Sequence, residues 1–193
     1  MNHDTYDDGY IRTILRSVRS IAIVGASPNT VRPSYFLFKY MLERGYDMIP
    51  VNPGQAGKQM LGKTFVASLR DIGRPVDMID IFRASAHVMP VVDEALSLTP
   101  PPRIIWMQLG VRNDEAAAKI EAAGLKVVMN RCPTIEYGRL SSEISWMGIN
   151  SRTLSSKRAP APVRGVQRLS LDRQSFSGAS TAAADRAARD AKS

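Results

Sequence analysis

Hydrophobic residues gather in five short runs separated by amphipathic stretches. The run on which the others are set is Ser20-Ile21-Ala22-Ile23-Val24-Gly25-Ala26-Ser27. Four apolar residues lead straight into a glycine and two small residues, the pattern of a strand buried on both faces and ended by a turn. Residues 47–51, 76–82, 103–107 and 126–129 read as four more strands. Between them the apolar spacing becomes helical. Residues 5–19 set Ile11, Ile14, Leu15 and Val18 on one face, with Arg12, Arg16 and Arg19 between them, and predict a helix lying on the sheet. Phe36, Leu37, Tyr40 and Met41 form the stripe of a helix over 34–44, with Ser34 as N-cap and Gly45 as its stop. Pro90 opens a helix that buries Val91, Val92, Ala95 and Leu96 and ends before Pro100-Pro101-Pro102. Asn113 caps a fourth, with Asp114 and Glu115 at its positive end, Ala117, Ile120 and Ala123 inward, and Gly124 closing it. Residues 139–147 predict a last helix. Gly54, Gly57 and Gly62 mark a loop carrying Lys58 and Lys63, and Leu69 and Ile72 anchor a short turn.

This alternation implies an α/β architecture: a five-stranded parallel sheet with helices on both faces. Ligands of such sheets bind beyond the carboxyl ends of the strands. Here those ends are Gly25-Ala26-Ser27, Asn52-Pro53, Phe82-Arg83, Gln108-Leu109-Gly110 and Asn130-Arg131-Cys132. Most residues with evident chemistry share this one rim. The first strand, its small-residue turn and the next helix offer free backbone N–H groups and a positive helix end to a phosphate. The turn is not the dinucleotide fingerprint. Ser27 and Thr30 stand where two further glycines belong, and Asn52 ends the second strand where an acid would hold the ribose 2′-OH.

Composition narrows the setting. One cysteine in 193 residues, Cys132, permits no internal disulfide and suits a reducing, cytoplasmic compartment. The polar, acidic start Met1-Asn2-His3-Asp4-Thr5 does not read as a secretory leader, and no apolar run reaches the ~18 residues of a membrane span. The net charge of +8 is unevenly placed. Residues 1–150 hold 17 Lys/Arg against 15 Asp/Glu, whereas residues 151–193 hold 9 against 3. The folded body is therefore nearly neutral, which argues against nucleic acid as its partner. The reading divides the chain into a domain over 1–150 and a basic Ser/Ala/Arg-rich tail over 151–193, expected to be mostly disordered.

Each chemically interesting residue also has a plain reading. Cys132 is either a thiol activated by Arg131 or a small residue packed at a strand end. Asp80, in a strand expected to be buried, needs an internal partner; loop N–H groups are the expected one, with a general base as the alternative. Asp77 falls at the start of the same strand. His87 reads as a surface or capping residue, and Glu136 and Tyr137 as rim or helix packing. No His/Cys set has metal-ligand spacing.

A series of short pieces, in order, carries a family resemblance. They are Val24-Gly25-Ala26-Ser27, Arg32-Pro33-Ser34-Tyr35, Gly45-Tyr46, Pro50-Val51-Asn52-Pro53, Leu61-Gly62, Ser68-Leu69, Val76-Asp77, Asp80-Ile81-Phe82-Arg83, Trp106-Met107-Gln108-Leu109-Gly110 and Asn130-Arg131-Cys132-Pro133. Over roughly residues 10–150 the chain resembles the stand-alone CoA-binding domains. It is also similar to the N-terminal CoA-binding domain of the succinyl-CoA synthetase α subunit. The resemblance implies a Rossmann-like fold and coenzyme A, or an acyl-CoA, as ligand. It puts Gly25, Ala26 and Ser27 on the pyrophosphate, with Arg32 in the adjoining turn. Val51 and Pro53 would flank the adenine, with Asn52 between them, and Lys58 would approach the nucleotide phosphates. Phe82 and Arg83 would line the next strand end, Gln108 and Gly110 the pantetheine channel, and Asn130 and Cys132 the thiol end. Related chains often carry Asp-Arg-Cys-Pro-Lys where this one has Asn130-Arg131-Cys132-Pro133-Thr134, so a carboxylate and a lysine are missing beside the cysteine. Only His3 and His87 are present, neither in a segment comparable to the synthetase's phosphorylated histidine, so ligase activity is not implied. An uncharged Asn52 with Lys58 six residues on suits the 3′-phosphate of CoA better than NAD.

The sequence thus reads as a CoA-binding protein without an evident catalytic constellation. Two other readings stay open: an NAD- or acyl-CoA-dependent enzyme whose residues meet only in the fold, and a CoA- or redox-sensing module that recruits a partner through its basic tail.

Overall fold

A computed structural model describes residues 1–141 of the chain. The predicted tail over 151–193, the 150/151 boundary and most of the helix expected over 139–147 lie outside the described residues.

Five parallel strands form the sheet, β1 (Ser20–Val24), β2 (Asp47–Val51), β5 (Met78–Ile81), β6 (Ile104–Met107) and β7 (Lys126–Val128), in the order β2-β1-β5-β6-β7. A separate two-stranded hairpin, β3 (Gln59–Met60) and β4 (Lys63–Thr64), follows β2 where the glycine-rich loop was expected. The strands pair in register from Ser20↔Asp47 through Ile21↔Met78 and Met78↔Ile104 to Ile104↔Lys126. β1, β5 and β6 are buried at every position because helices cover both faces.

One face carries α1 (Asp8–Ser17), α2 (Pro33–Glu43) and α5 (Pro133–Leu140), and its core joins Ile14, Leu37, Phe38 and Met41 to Ile21, Ile23 and Trp106. The other carries α3 (Val88–Leu96) and α4 (Asp114–Ala122), joining Val92, Ala95 and Ile120 to Ile79, Ile81 and Ile105. Asp7 starts α1 by accepting the Gly9 N–H at 2.7 Å, and Asn113 starts α4 by accepting the Ala116 N–H at 2.9 Å, as its sequence position predicts.

Several local expectations are corrected. Ser34 is not the N-cap of α2: Arg32 holds that position without a side-chain bond, Pro33 opens the helix, and Ser34 lies one residue further in. Phe36 is exposed and Phe38 is buried in its place, while Leu37 and Met41 are buried as predicted, a rotation of the apolar stripe by about a quarter of a turn. Ala123 is exposed and Ala116 inward. α5 begins at Pro133, earlier than the expected 139, because a proline fits the first helical position.

Asp77 sits at the start of its strand, as expected. It accepts the Arg19 and Ser20 N–H groups at 2.8 and 3.0 Å and pairs with Arg103 at 2.7 Å. Burial raises its pKa, but these donors outweigh burial and hold the carboxyl below the usual range.

The N-terminal segment runs along β7. The Tyr6 hydroxyl accepts the Met129 N–H at 2.7 Å, and the Tyr10 hydroxyl donates to the Val127 carbonyl at 3.2 Å. Tyr6→Phe is expected to cost about 1 kcal/mol in thermal unfolding and to speed hydrogen exchange at Met129, because the amide loses its acceptor. Unchanged exchange at Met129 would mean that the segment does not hold the strand.

Candidate functional site

The strand order fixes where a ligand can enter. β1 has β2 on one side and β5 on the other, and the helices that follow β1 and β5 lie on opposite faces, leaving a crevice between their carboxyl ends. Gly25 occupies that point with φ +91°. A Cβ there would stand 2.4 Å from the Phe82 carbonyl oxygen, so the two strand ends meet backbone to backbone. The Gly25 N–H donates to Val51 O at 2.9 Å and the Phe82 N–H to Val24 O at 2.8 Å, which ties three strand ends together.

The turn after Gly25 is held open by its own polar groups. Ser34 Oγ accepts the Ser27 N–H at 3.2 Å, Ser27 Oγ accepts the Asn29 N–H at 3.3 Å, and Asn29 Oδ1 accepts the Val31 N–H at 3.0 Å. The Ala26 N–H has no acceptor among the described residues. α2 begins at the end of this turn with no acid in its first turn, so its positive end is not neutralised locally. Arg32 is exposed and Arg83 half-buried beside Gly25, with its Cδ 3.4 Å from the position of the absent Cβ. Neither guanidinium has a carboxylate partner among the described residues.

At the end of β2, Asn52 is a structural clamp. Its Nδ2 donates to the Ala26 carbonyl at 2.8 Å and its Oδ1 accepts the Gly54 N–H at 3.0 Å, joining the first two rim turns. One bond at each end of the amide fixes its orientation, so Asn52 shapes the cradle. Asn52→Asp would set a carboxylate oxygen against the Ala26 carbonyl. The expected loss is about 2–3 kcal/mol of stability in thermal unfolding; wild-type behaviour would show that the clamp is dispensable. Val51 is 2% exposed and lies beneath the rim, whereas Pro53 is exposed on it. Lys58 is exposed at the rim, with Nζ on Gln55 Oε1 at 3.0 Å. Lys63 is elsewhere: with Arg74 it holds Asp47 at the amino end of β2.

The other side of the crevice is built around a buried carboxyl. Asp80 is fully buried, and Gln108 Nε2 donates to both of its oxygens at 3.0 and 3.3 Å. Gln108 Oε1 in turn accepts the Leu109 N–H at 3.2 Å. The partner of Asp80 is therefore a side chain from the neighbouring strand, not the loop N–H groups expected. Burial pushes Asp80 up to about 8, the Gln108 bond opposing it, so the carboxyl is mostly protonated at neutral pH. Gln108 faces inward on Asp80, while Gly110 stays at the surface, its N–H on Asn130 Oδ1 at 2.8 Å. Asn130 adopts φ +53°, a conformation this residue type tolerates. Trp106 Nε1 donates to the Arg131 carbonyl at 2.7 Å, and burial pushes the Cys132 thiol up, so it stays protonated. Arg131 faces Glu136 at 3.7 Å and does not activate the thiol.

The strand ends thus gather Gly25, Ala26, Ser27, Asn52, Phe82, Arg83, Gln108, Asn130 and Cys132 on one side of the sheet. Sequence reasoning missed Ser34 as a member of the cradle and Gln108 as the partner of Asp80. Alternation offered a signal for the second: Asp80 pairs in register with Trp106, and Gln108, two residues beyond Trp106, returns to the same face. No group of three or more His, Cys, Asp or Glu side chains that would hold a metal ion occurs among the described residues. No helix among them is long and apolar enough to cross a membrane.

Related proteins share this frame. The Bacillus subtilis protein YneT is 36% identical over 127 residues, which span 66% of this chain and 91% of YneT. A solved Thermus thermophilus protein, cell-free ID.343, is 36% identical with a TM-score of 0.66, covering 70% of this chain and 99% of its own. A hypothetical protein from Pyrococcus horikoshii OT3 is also 36% identical with a TM-score of 0.66, covering 73% and 96%. The profile of the CoA binding domain matches residues 19–138, from just before β1 through most of α5 and therefore every strand end of the rim. By the extent of that match, and with the crevice in the place where its fold binds nucleotides, the chain belongs to the CoA binding domain family.

Proposed function

We propose that the rim binds coenzyme A or an acyl-CoA and that binding, not catalysis, is its task. The observation that carries this reading is the backbone meeting at Gly25, with the open turn and the positive end of α2 on one side and, on the other, Arg32 and Arg83, which pair with no carboxylate among the described residues. Such a place suits a pyrophosphate, whose oxygens take backbone N–H groups and guanidinium forks together. Ala26 and Ser27 would hold it. Lys58, on an exposed stem, would leave Gln55 for the 3′-phosphate. Pro53 would lie against the adenine with Val51 as its floor, and Phe82, Gly110 and Cys132 would border the pantetheine arm. The protonated Asp80 keeps an anionic charge away from that crevice. The chemistry at the thiol end also favours binding. The cysteine is protonated, the aspartate is committed to Gln108, buried His3 bonds the Tyr6 hydroxyl, and His87 is exposed just before α3.

Thermal unfolding under reducing conditions with CoA, acetyl-CoA and NAD in parallel tests the reading. At a hundredfold excess over Kd the stabilisation is about 2.7 kcal/mol. The CoA compounds should raise the midpoint, NAD should not, and Ser27→Asp, which puts a like charge in the cradle, should remove the rise. A rise with NAD alone, or with none of the three, overturns the assignment.

A further inference from the structure

A second site stands at the opposite end of the sheet. A cavity of about 330 Å³ lies where α1, α2 and α5 meet, walled chiefly by Arg12, Arg16, Arg19, Arg44, Tyr46 and Tyr137. Arg19 immediately precedes β1 and Tyr46 immediately precedes β2, so the cavity opens at the amino ends of the strands. A five-residue strand, roughly 17 Å, separates it from Gly25.

Its charge is unbalanced. Among the described residues no Asp or Glu lines it. Most other basic side chains of the domain are paired: Lys63 and Arg74 with Asp47, Arg103 with Asp77, Arg112 with Asp4 and Asp114, Lys119 with Asp93, and Arg139 with Asp8 and Glu136. The guanidiniums of Arg12, Arg16 and Arg19 form no hydrogen bond or close ion pair among the described residues; Asp8, one turn before Arg12, feels its charge but is itself held by Arg139. The carboxyl ends of α1, α2 and α5 also point this way and contribute about half a negative charge each. Together that falls short of the three guanidiniums of Arg12, Arg16 and Arg19 around one concavity.

The wall is already ordered. The Tyr46 hydroxyl donates to the Leu15 carbonyl at 2.8 Å, the Tyr46 and Tyr137 rings meet edge-on at 6.2 Å, and the Arg44 guanidinium lies 3.3 Å over the Tyr40 ring. We propose that this cavity binds a small phosphorylated metabolite carrying at least two negative charges, held by the guanidinium forks of Arg12, Arg16 and Arg19 with its remaining atoms against Tyr46 and Tyr137. Arginine forks match phosphate oxygens in pairs, and the volume falls at the small end of ligand pockets. The site is separate from the rim and stands whether or not the rim binds CoA.

Calorimetric titration of the full chain with pyrophosphate at low salt tests it, alone and with saturating CoA. Saturable binding is expected that persists with CoA present and in Ser27→Asp, and that weakens at least about tenfold in Arg16→Glu, where one charge-assisted contact becomes a repulsion. Arg16 is exposed, so its replacement leaves the core intact, and Arg12→Glu provides an independent reading. Absence of pyrophosphate binding by the full chain overturns the proposal. So does binding that disappears in Ser27→Asp but survives in Arg16→Glu, which would place the anion at the rim. Binding to phosphatidylserine vesicles without binding to pyrophosphate also overturns it, in favour of a membrane surface.

Discussion

Gly25→Ala is expected to destabilise the domain by at least about 3 kcal/mol, roughly 10 °C in melting temperature, and to abolish CoA binding with it. Two costs add at this residue. A side chain at φ +91° is strained whatever its surroundings, and the new Cβ would sit 2.4 Å from the Phe82 oxygen and 3.1 Å from its carbonyl carbon. Neither atom can yield cheaply, since both belong to the backbone where β5 leaves the sheet. Gly110→Ala separates the two costs. Gly110 has φ +82° but nothing within 4 Å of its absent Cβ, so only the conformational part, about 1 kcal/mol, applies. Two variants melting within about 3 °C of each other would show that the strand ends are not in backbone contact.

Asp80→Asn is expected to remove a pH dependence from stability. The folded carboxyl titrates near 8 and the unfolded one near its ordinary 3.8. Between those values the native state binds the proton that the unfolded state has released. Wild-type stability from this group is therefore fully present below about pH 4 and falls as pH rises towards 8, with a limiting slope of about 1.4 kcal/mol per pH unit. Asparagine keeps an acceptor for Gln108 Nε2 and carries no charge, so the variant should lose this slope. Chemical denaturation of both proteins at pH 6, 7 and 8 measures it. The variant should gain on the wild type at each step; a constant difference across the series would mean that Asp80 is ionised in the fold.

The sequence made the sheet legible because the strands of a parallel sheet carry continuous apolar runs whose ends are marked by Gly25, Asn52, Gly110 and Asn130. The rim was legible for the same reason, since the ends of parallel strands all point one way. What it hid was the use of each side chain. Asn52 looked like a ligand-facing residue chosen for lacking charge, and its amide also ties together the backbone of two turns. Gln108 looked like a channel wall, and its bond to a buried acid went unread. Cys132 next to Arg131 read either as an activated thiol or as a packed small residue; Arg131 turns to Glu136, and burial decides the thiol. Composition cannot report such pairings, because they depend on which of two neighbouring turns reaches the other. The stripe of α2 was read about a quarter of a turn off, with Phe36 taken for Phe38, because Ser34 rather than Tyr40 completes the buried face.

Open parallel sheets have two outer edges, and each exposes backbone groups on which a second chain could pair. The outward N–H of Met129 and carbonyl of Val127 are occupied by Tyr6 and Tyr10. On the far side Pro50 has no N–H to offer, its carbonyl takes the Val66 N–H at 3.1 Å, and the Asn52 N–H goes to Val66 O at 2.9 Å. Copies of this domain therefore cannot join by extending their sheets at these positions. Two tyrosine hydroxyls at one edge, and one proline and one loop residue at the other, take up the backbone groups that strand-mediated pairing would use at these positions.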